Sequence, residues 1–168
     1  MQFEEEILIP KARVKVVLSM NTLLEKENAK IEAVGNLIKI VSDDALILAI
    51  AKNIVEAVGR GFEPGVAKLL FKDDFAFEQL SIADYGYKKP NHLKRIKGVV
   101  IGENGKAKNI IEKRTNTRLA IYGKTVSIIG KHDAVQKARH AVEMLLTGRR
   151  HATAYRFLEK VKEFKGAE

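Results

Sequence analysis

Three segments of this chain occur twice, each time about 87 or 88 residues apart. Leu24-Glu25-Lys26-Glu27-Asn28-Ala29-Lys30-Ile31 is echoed by Ile111-Glu112-Lys113-Arg114-Thr115-Asn116-Thr117-Arg118-Leu119. Gly35-Asn36-Leu37-Ile38-Lys39-Ile40 is echoed by Gly123-Lys124-Thr125-Val126-Ser127-Ile128, and Ala51-Lys52-Asn53-Ile54-Val55-Glu56 by Ala138-Arg139-His140-Ala141-Val142-Glu143. A length of 168 residues allows one large domain or two small ones. A near-constant offset, with the patterns in the same order, selects two tandem copies of one small α/β unit.

Each copy reads as strand, helices, hairpin and long helix. In the first, Glu6 to Ile9 form a short strand, and Pro10 suits the first turn of a helix. Ile31 to Val34 and Leu37 to Val41 pair around the Gly35-Asn36 turn. Asp43 or Asp44 caps a helix over Ala45 to Val58, and Gly59 and Gly61 end it. In the second copy, Phe75 to Ile82 read as a strand, and Asn91 caps a helix over Leu93 to Ile101. Lys106 to Arg114 are helical, and Arg118 to Ile121 pair with Thr125 to Ile129 around Tyr122-Gly123-Lys124. Asp133 caps or opens a helix that runs to Leu146 and stops at Gly148. A last amphipathic segment from Ala152 to Phe164 carries Tyr155, Leu158, Val161 and Phe164. These patterns place the first unit at residues 1–61, a linker containing a short helix at 62–74, and the second unit with its helical extension at 75–168.

Charge separates the two copies. The net charge of +9 favours a polyanionic partner. Residues 1–84 hold 10 Lys and Arg against 14 Asp and Glu, a net −4, whereas residues 85–168 hold 20 against 7, a net +13. Solubility does not require this asymmetry, so the polyanion contact belongs to the second half. With no Cys there is no disulfide framework and no thiol chemistry. No apolar run approaches the roughly 20 residues that span a bilayer. The Met1-Gln2-Phe3-Glu4-Glu5-Glu6 start is acidic where a signal peptide is basic. We expect a cytoplasmic protein with no membrane partner.

The second copy contains Val99-Val100-Ile101-Gly102-Glu103-Asn104-Gly105-Lys106 at the junction of its two short helices. Glycine lets backbone N–H groups approach a phosphodiester and can take positive φ. Gly102 and Gly105 stand at a helix start, where free N–H groups and the helix dipole favour an anion. Arg95, Lys97, Lys106 and Lys108 add positive charge nearby. Bases would lie over an apolar groove floored by Ile101, Ile110, Leu119 and Ile121, with Arg118 at its edge. A GxxG spacing alone is weak. Followed by Ile110-Ile111-Glu112-Lys113-Arg114-Thr115, a hairpin and a long helix, it resembles a KH domain, whose loop clamps a single-stranded nucleic acid. Glu103 and Asn104 stand where many KH loops carry Lys or Arg.

The resemblance implies an α+β protein with two tandem type I KH domains of the βααββα kind. Each is a three-stranded antiparallel sheet covered by helices, and a C-terminal helix follows. The first copy departs from the pattern: Ser19-Met20-Asn21-Thr22 stands where a GxxG falls, about four residues too close to Leu24. It is a degenerate unit lacking the clamp, and its negative charge suits packing or a protein contact.

Other chemistry finds little support. His92, His132, His140 and His151 show no metal-ligand spacing. Asp43-Asp44 and Asp73-Asp74 read as caps and turns rather than paired catalytic acids. Nothing resembles a P-loop or a nucleophile elbow. We expect no catalytic residue, metal or cofactor. Arg149, Arg150 and Arg156 can pair with phosphate, and Tyr155 can stack on a base or pack inward.

Further matches extend over the whole chain. They are Ile9-Pro10-Lys11-x-Arg13, Val58-Gly59-Arg60-Gly61-Phe62, Ile111-Glu112-x-x-Thr115, Ile121-Tyr122-Gly123-Lys124-Thr125-Val126 and Ala141-Val142-Glu143-Met144-Leu145. The closing Gly148-x-x-His151-x-x-x-Tyr155-Arg156-Phe157-Leu158 is the least generic. In these the chain resembles the archaeal and eukaryotic small-subunit ribosome assembly KH proteins, the "partner of Nob" rRNA-processing family. The resemblance implies single-stranded RNA as ligand, in the 3′ region of small-subunit rRNA. It also implies cooperation with the PIN-domain rRNA nuclease and, in archaea, a link to the alpha subunit of initiation factor two. Two alternatives stay open: a KH regulator of transcription or mRNA, and a protein adaptor with incidental RNA binding.

Overall fold

A computed structural model of the chain describes the backbone of residues 1–166 and the side chains of residues 1–160. The expectation for Val161 and Phe164 falls outside the described side chains. The chain divides into two compact units, Met1–Asp73 and Asp74–Glu168. No described helix is long and apolar enough to cross a membrane.

In the first unit, strands β1 (Phe3–Leu8), β2 (Ala29–Val34) and β3 (Leu37–Ser42) form an antiparallel sheet of order β1-β3-β2. Burial alternates along β3, so Ile38 and Ile40 face the core while Leu37, Lys39 and Val41 face away. Two short helices, α1 (Val14–Leu18) and α2 (Asn21–Lys26), precede the hairpin, and α3 (Ala45–Gly59) follows it. Asp44 caps α3: its Oδ1 accepts from Leu46 N at 2.8 Å and Ile47 N at 3.3 Å. Between α1 and α2 the chain steps directly from one helix to the next, with Met20 buried.

Two of the matched segments meet in space. Arg13 donates from Nε to Val58 O at 2.9 Å, in the last turn of α3, and from Nη2 to Phe62 O at 2.8 Å, just beyond it. Helix α3 ends at Gly59, as expected. A Cβ on Gly59 would come 2.7 Å from Ile9 Cγ2, so the close approach of β1's end requires glycine there, and the chain turns at Gly61, with φ +107°. The expected linker needs correction. Residues 62–74 include α4 (Pro64–Ala67) and a 3-10 turn at Lys68–Phe71, and Phe62, Ala67 and Leu70 are buried. Apolar residues at these positions give the segment a face to pack against α3.

The second unit repeats the order strand, two helices, hairpin, helix. Strands β4 (Phe75–Ser81), β5 (Arg118–Tyr122) and β6 (Thr125–Lys131) form an antiparallel sheet of order β4-β6-β5, which leaves β5 at an edge. Helix α5 (Pro90–Ile101) begins with Pro90 at its first position and has no side-chain cap, so Asn91 is a helical residue and not the cap expected. Proline's missing N–H costs nothing there, and its fixed φ suits the first turn. Helices α6 (Lys106–Thr115), α7 (His132–Leu146) and α8 (His151–Gly166) complete the unit. Val135, Ala138, Val142 and Leu145 on α7 follow helical spacing into a core shared with Ile96, Val100, Ile111, Val126 and Ile128. Arg139 joins α7 to β4, donating from Nη1 to Glu78 at 2.7 Å and from Nε to Glu143 at 2.9 Å.

Candidate nucleic-acid interface

Helix α5 ends because the backbone turns left-handed. Gly102 has φ +78°, Asn104 +54° and Gly105 +77°, and Lys106 then starts α6 in ordinary helical geometry. Gly102 N donates to Gly98 O at 2.8 Å, and Gly105 N to Gly102 O at 3.1 Å, closing a tight loop. A Cβ on Gly102 would lie 2.6 Å from Ala107 N, whereas one on Gly105 would meet only Asn109 Nδ2 at 3.9 Å. Asparagine tolerates the left-handed region better than most residues, which gives Asn104 a conformational reason to stand where many KH loops carry Lys or Arg.

No side chain caps α6, so the free N–H groups of its first turn meet the loop. Glu103, Asn104 and Lys106 are exposed, and Lys108 is half-buried. On α5, Arg95 is exposed with its guanidinium 5.8 Å from the Tyr87 ring centre, while Lys97 and Ile101 are half-buried. Arg118 is exposed on the edge strand. Of the four residues expected to floor a groove, one is buried. Leu119 is only 4% exposed and belongs to the core, because alternation along β5 turns it toward the helices. Ile101, Ile110 and Ile121 remain partly accessible. Glu112 Oε2 accepts Leu119 N at 3.0 Å and so ties α6 to the edge strand.

The closing stretch is brought to the same end of the unit. Gly148, with φ +90°, turns the chain out of α7, and Arg149 and Arg150 are exposed in the turn. His151 Nε2 lies 2.8 Å from Val99 O, three residues before Gly102. A carbonyl can only accept, so Nε2 carries the proton of this bond. Farther along α8, Ala154 and Leu158 are buried and Arg156 points outward. Burial raises the Tyr155 hydroxyl pKa above the ordinary tyrosine value. Arg114 Nη1 on α6 pairs with Glu159 Oε1 on α8 at 2.9 Å.

Sequence reasoning missed the structural part played by His151, Glu112 and Gly98. Gly98 sits inside α5, exposed, with open space where a Cβ would stand. A glycine mid-helix with no packing demand is a signal the sequence did carry.

A βααββα unit with a glycine loop between its first two helices is a KH domain, a fold that holds single-stranded nucleic acid. A family model described as a eukaryotic-type KH domain (KH-domain type I) matches residues 76–163. The chain belongs to the PNO1 family of KH-domain proteins. It is 40% identical over 169 residues to a KH domain-containing protein of Methanocaldococcus jannaschii, covering 95% of this chain and 74% of that one. The pre-rRNA-processing protein PNO1 of Debaryomyces hansenii is 32% identical over 97 residues, 57% of this chain and 38% of the yeast protein. This chain thus spans less than half of that relative, and 46% of the RNA-binding protein pno-1 of Caenorhabditis briggsae. Among solved structures, a chain in the complex of a/eIF2alpha, aDim2p and rRNA from Pyrococcus horikoshii superposes with a TM-score of 0.88 at 32% identity, covering 97% of this chain and 96% of that one.

Proposed function

We propose that this chain binds single-stranded RNA in small ribosomal subunit biogenesis, and that its second unit holds the 3′ region of small-subunit rRNA for processing. The observation that carries the reading is the left-handed Gly102–Gly105 loop opening an uncapped helix in a half of net charge +13. The rRNA in the Pyrococcus horikoshii complex and the pre-rRNA-processing role named for the yeast relative support it. The protein acts in the cytoplasm by holding RNA in place and is not itself an enzyme. Cleavage falls to a partner, the PIN-domain nuclease of the family resemblance. Replacing Glu103 and Asn104 together by Asp adds charge to the loop, and Asp tolerates the left-handed region. This variant is expected to lose about tenfold in affinity for a single-stranded rRNA 3′-end oligonucleotide in an anisotropy titration at fixed salt, with an unchanged melting temperature. Equal affinity would remove the loop from the site.

We infer that the first unit is a KH fold without a clamp, given over to a protein contact. On the sheet face turned away from its core, Leu8, Leu37 and Val34 stand in one cross-strand row, with Leu8 68% and Val34 78% exposed. The next row, Glu6, Lys39 and Glu32, is net acidic. An apolar strip beside acidic residues suits a protein surface with aliphatic and basic side chains better than it suits RNA. The alpha subunit of initiation factor two is the partner to test. Leu8→Asp with Val34→Asp is expected to weaken its binding by calorimetry while leaving RNA affinity unchanged. Unaltered binding of the factor counts against the surface.

A further inference from the structure

Helix α8 touches the helices on both sides of the glycine loop. His151 bonds to α5 at Val99 O, and Glu159 bonds to α6 at Arg114. The inward stripe of α8 is His151, Ala154, Tyr155 and Leu158, which matches helical spacing and explains much of the closing motif. The contact at Val99 falls three residues before Gly102. Gly98 O already accepts Gly102 N, so Val99 O is the next carbonyl along, and α5 ends before it can find a donor four residues on. His151 supplies that donor from another helix. Its ring sits beside Tyr155, with centroids 6.0 Å apart, and the imidazole is half-buried.

We propose that His151 is a positioning residue for the RNA clamp. By donating to Val99 O it fixes the last turn of α5, and with it the distance between Gly102 and the first turn of α6. This rests on the RNA-binding reading above, but the role differs from the phosphate contact expected of its neighbours Arg149 and Arg150. A positioning residue changes affinity without changing how many phosphates are neutralised. It is also replaceable by any side chain that presents a donor at the same reach.

The test uses the full chain and a single-stranded oligoribonucleotide of the small-subunit rRNA 3′ end, titrated across a range of salt. Variants are His151→Ala, His151→Gln and His151→Asn. Gln places an amide nitrogen near the Nε2 position, and Asn is too short to reach it. Ala and Asn are expected to lose about five- to tenfold in affinity with an unchanged salt slope, and Gln to recover most of the loss. Without RNA, amide exchange at Gly102 and Gly105 should rise in the Ala and Asn variants and stay at the wild-type level in Gln. Should Ala melt below the assay temperature, the Gln and Asn pair decides alone. Wild-type affinity in Asn overturns the proposal, as does a Gln variant that fails to recover. A salt slope reduced by one phosphate also overturns it, since that marks direct contact. If the wild-type chain binds no RNA, the functional reading fails, while the exchange measurement still reports whether His151 holds the loop.

Discussion

Gly98, Gly102 and Gly105 lie within eight residues of one another and answer to three different constraints. Gly105 is needed for its φ of +77° alone, Gly102 for both φ and space, and Gly98 for neither. An alanine series in urea should separate them. Gly98→Ala is expected to stabilise by about 0.5–1 kcal/mol through helix propensity. Gly105→Ala should cost about 1–2 kcal/mol, the price of a left-handed residue. Gly102→Ala should cost about 3 kcal/mol or more, because the new methyl also meets the Ala107 backbone. The sequence marked Gly102 and Gly105 as a pair. It could not rank them, because the clash partner is set by how α6 turns back on the loop.

At the scale of elements, strands and helices were legible from periodicity, and their ends were less so. The two hairpins and the long helices α3 and α7 fall within one or two residues of expectation, since β-branched runs, turn glycines and i, i+3, i+4 spacing all agree there. Asn91 misled because it is a good cap residue, whereas the helix starts one position earlier, at Pro90. Helix α3 also carries a testable charge. Burial holds the Glu56 carboxyl above the usual carboxylate pKa, against the opposite pull of Arg60 and Lys52. A carboxyl with a raised folded pKa binds its proton more tightly folded than unfolded. Its ionisation therefore subtracts stability as pH rises from the unfolded pKa through the folded one. Glu56→Gln is expected to raise the melting temperature near pH 7 and to leave it unchanged near pH 3, where the carboxyl is protonated in both states. Equal shifts at both values would show that the effect is not one of ionisation.

For the molecule as a whole, the important difference from expectation is where the first unit stops. Phe62, Ala67 and Leu70 are buried, so the segment expected to be a linker completes a core. A fragment of residues 1–73 is expected to unfold cooperatively in urea, whereas residues 1–61 should show a shallow transition or none, since three buried apolar side chains are removed. Matching transitions in both would return residues 62–73 to the role of a tether. The sequence by itself determined the repeat, the mixed α/β make-up, the charge division and the single glycine loop, because these are written in local pattern and composition. Only the tertiary structure decided that Leu119 is buried in the core, that Gly59 packs against Ile9, and that His151 caps a helix 52 residues away. Such roles depend on which surfaces meet, and two residues far apart in the chain carry no local mark of the partner each will find.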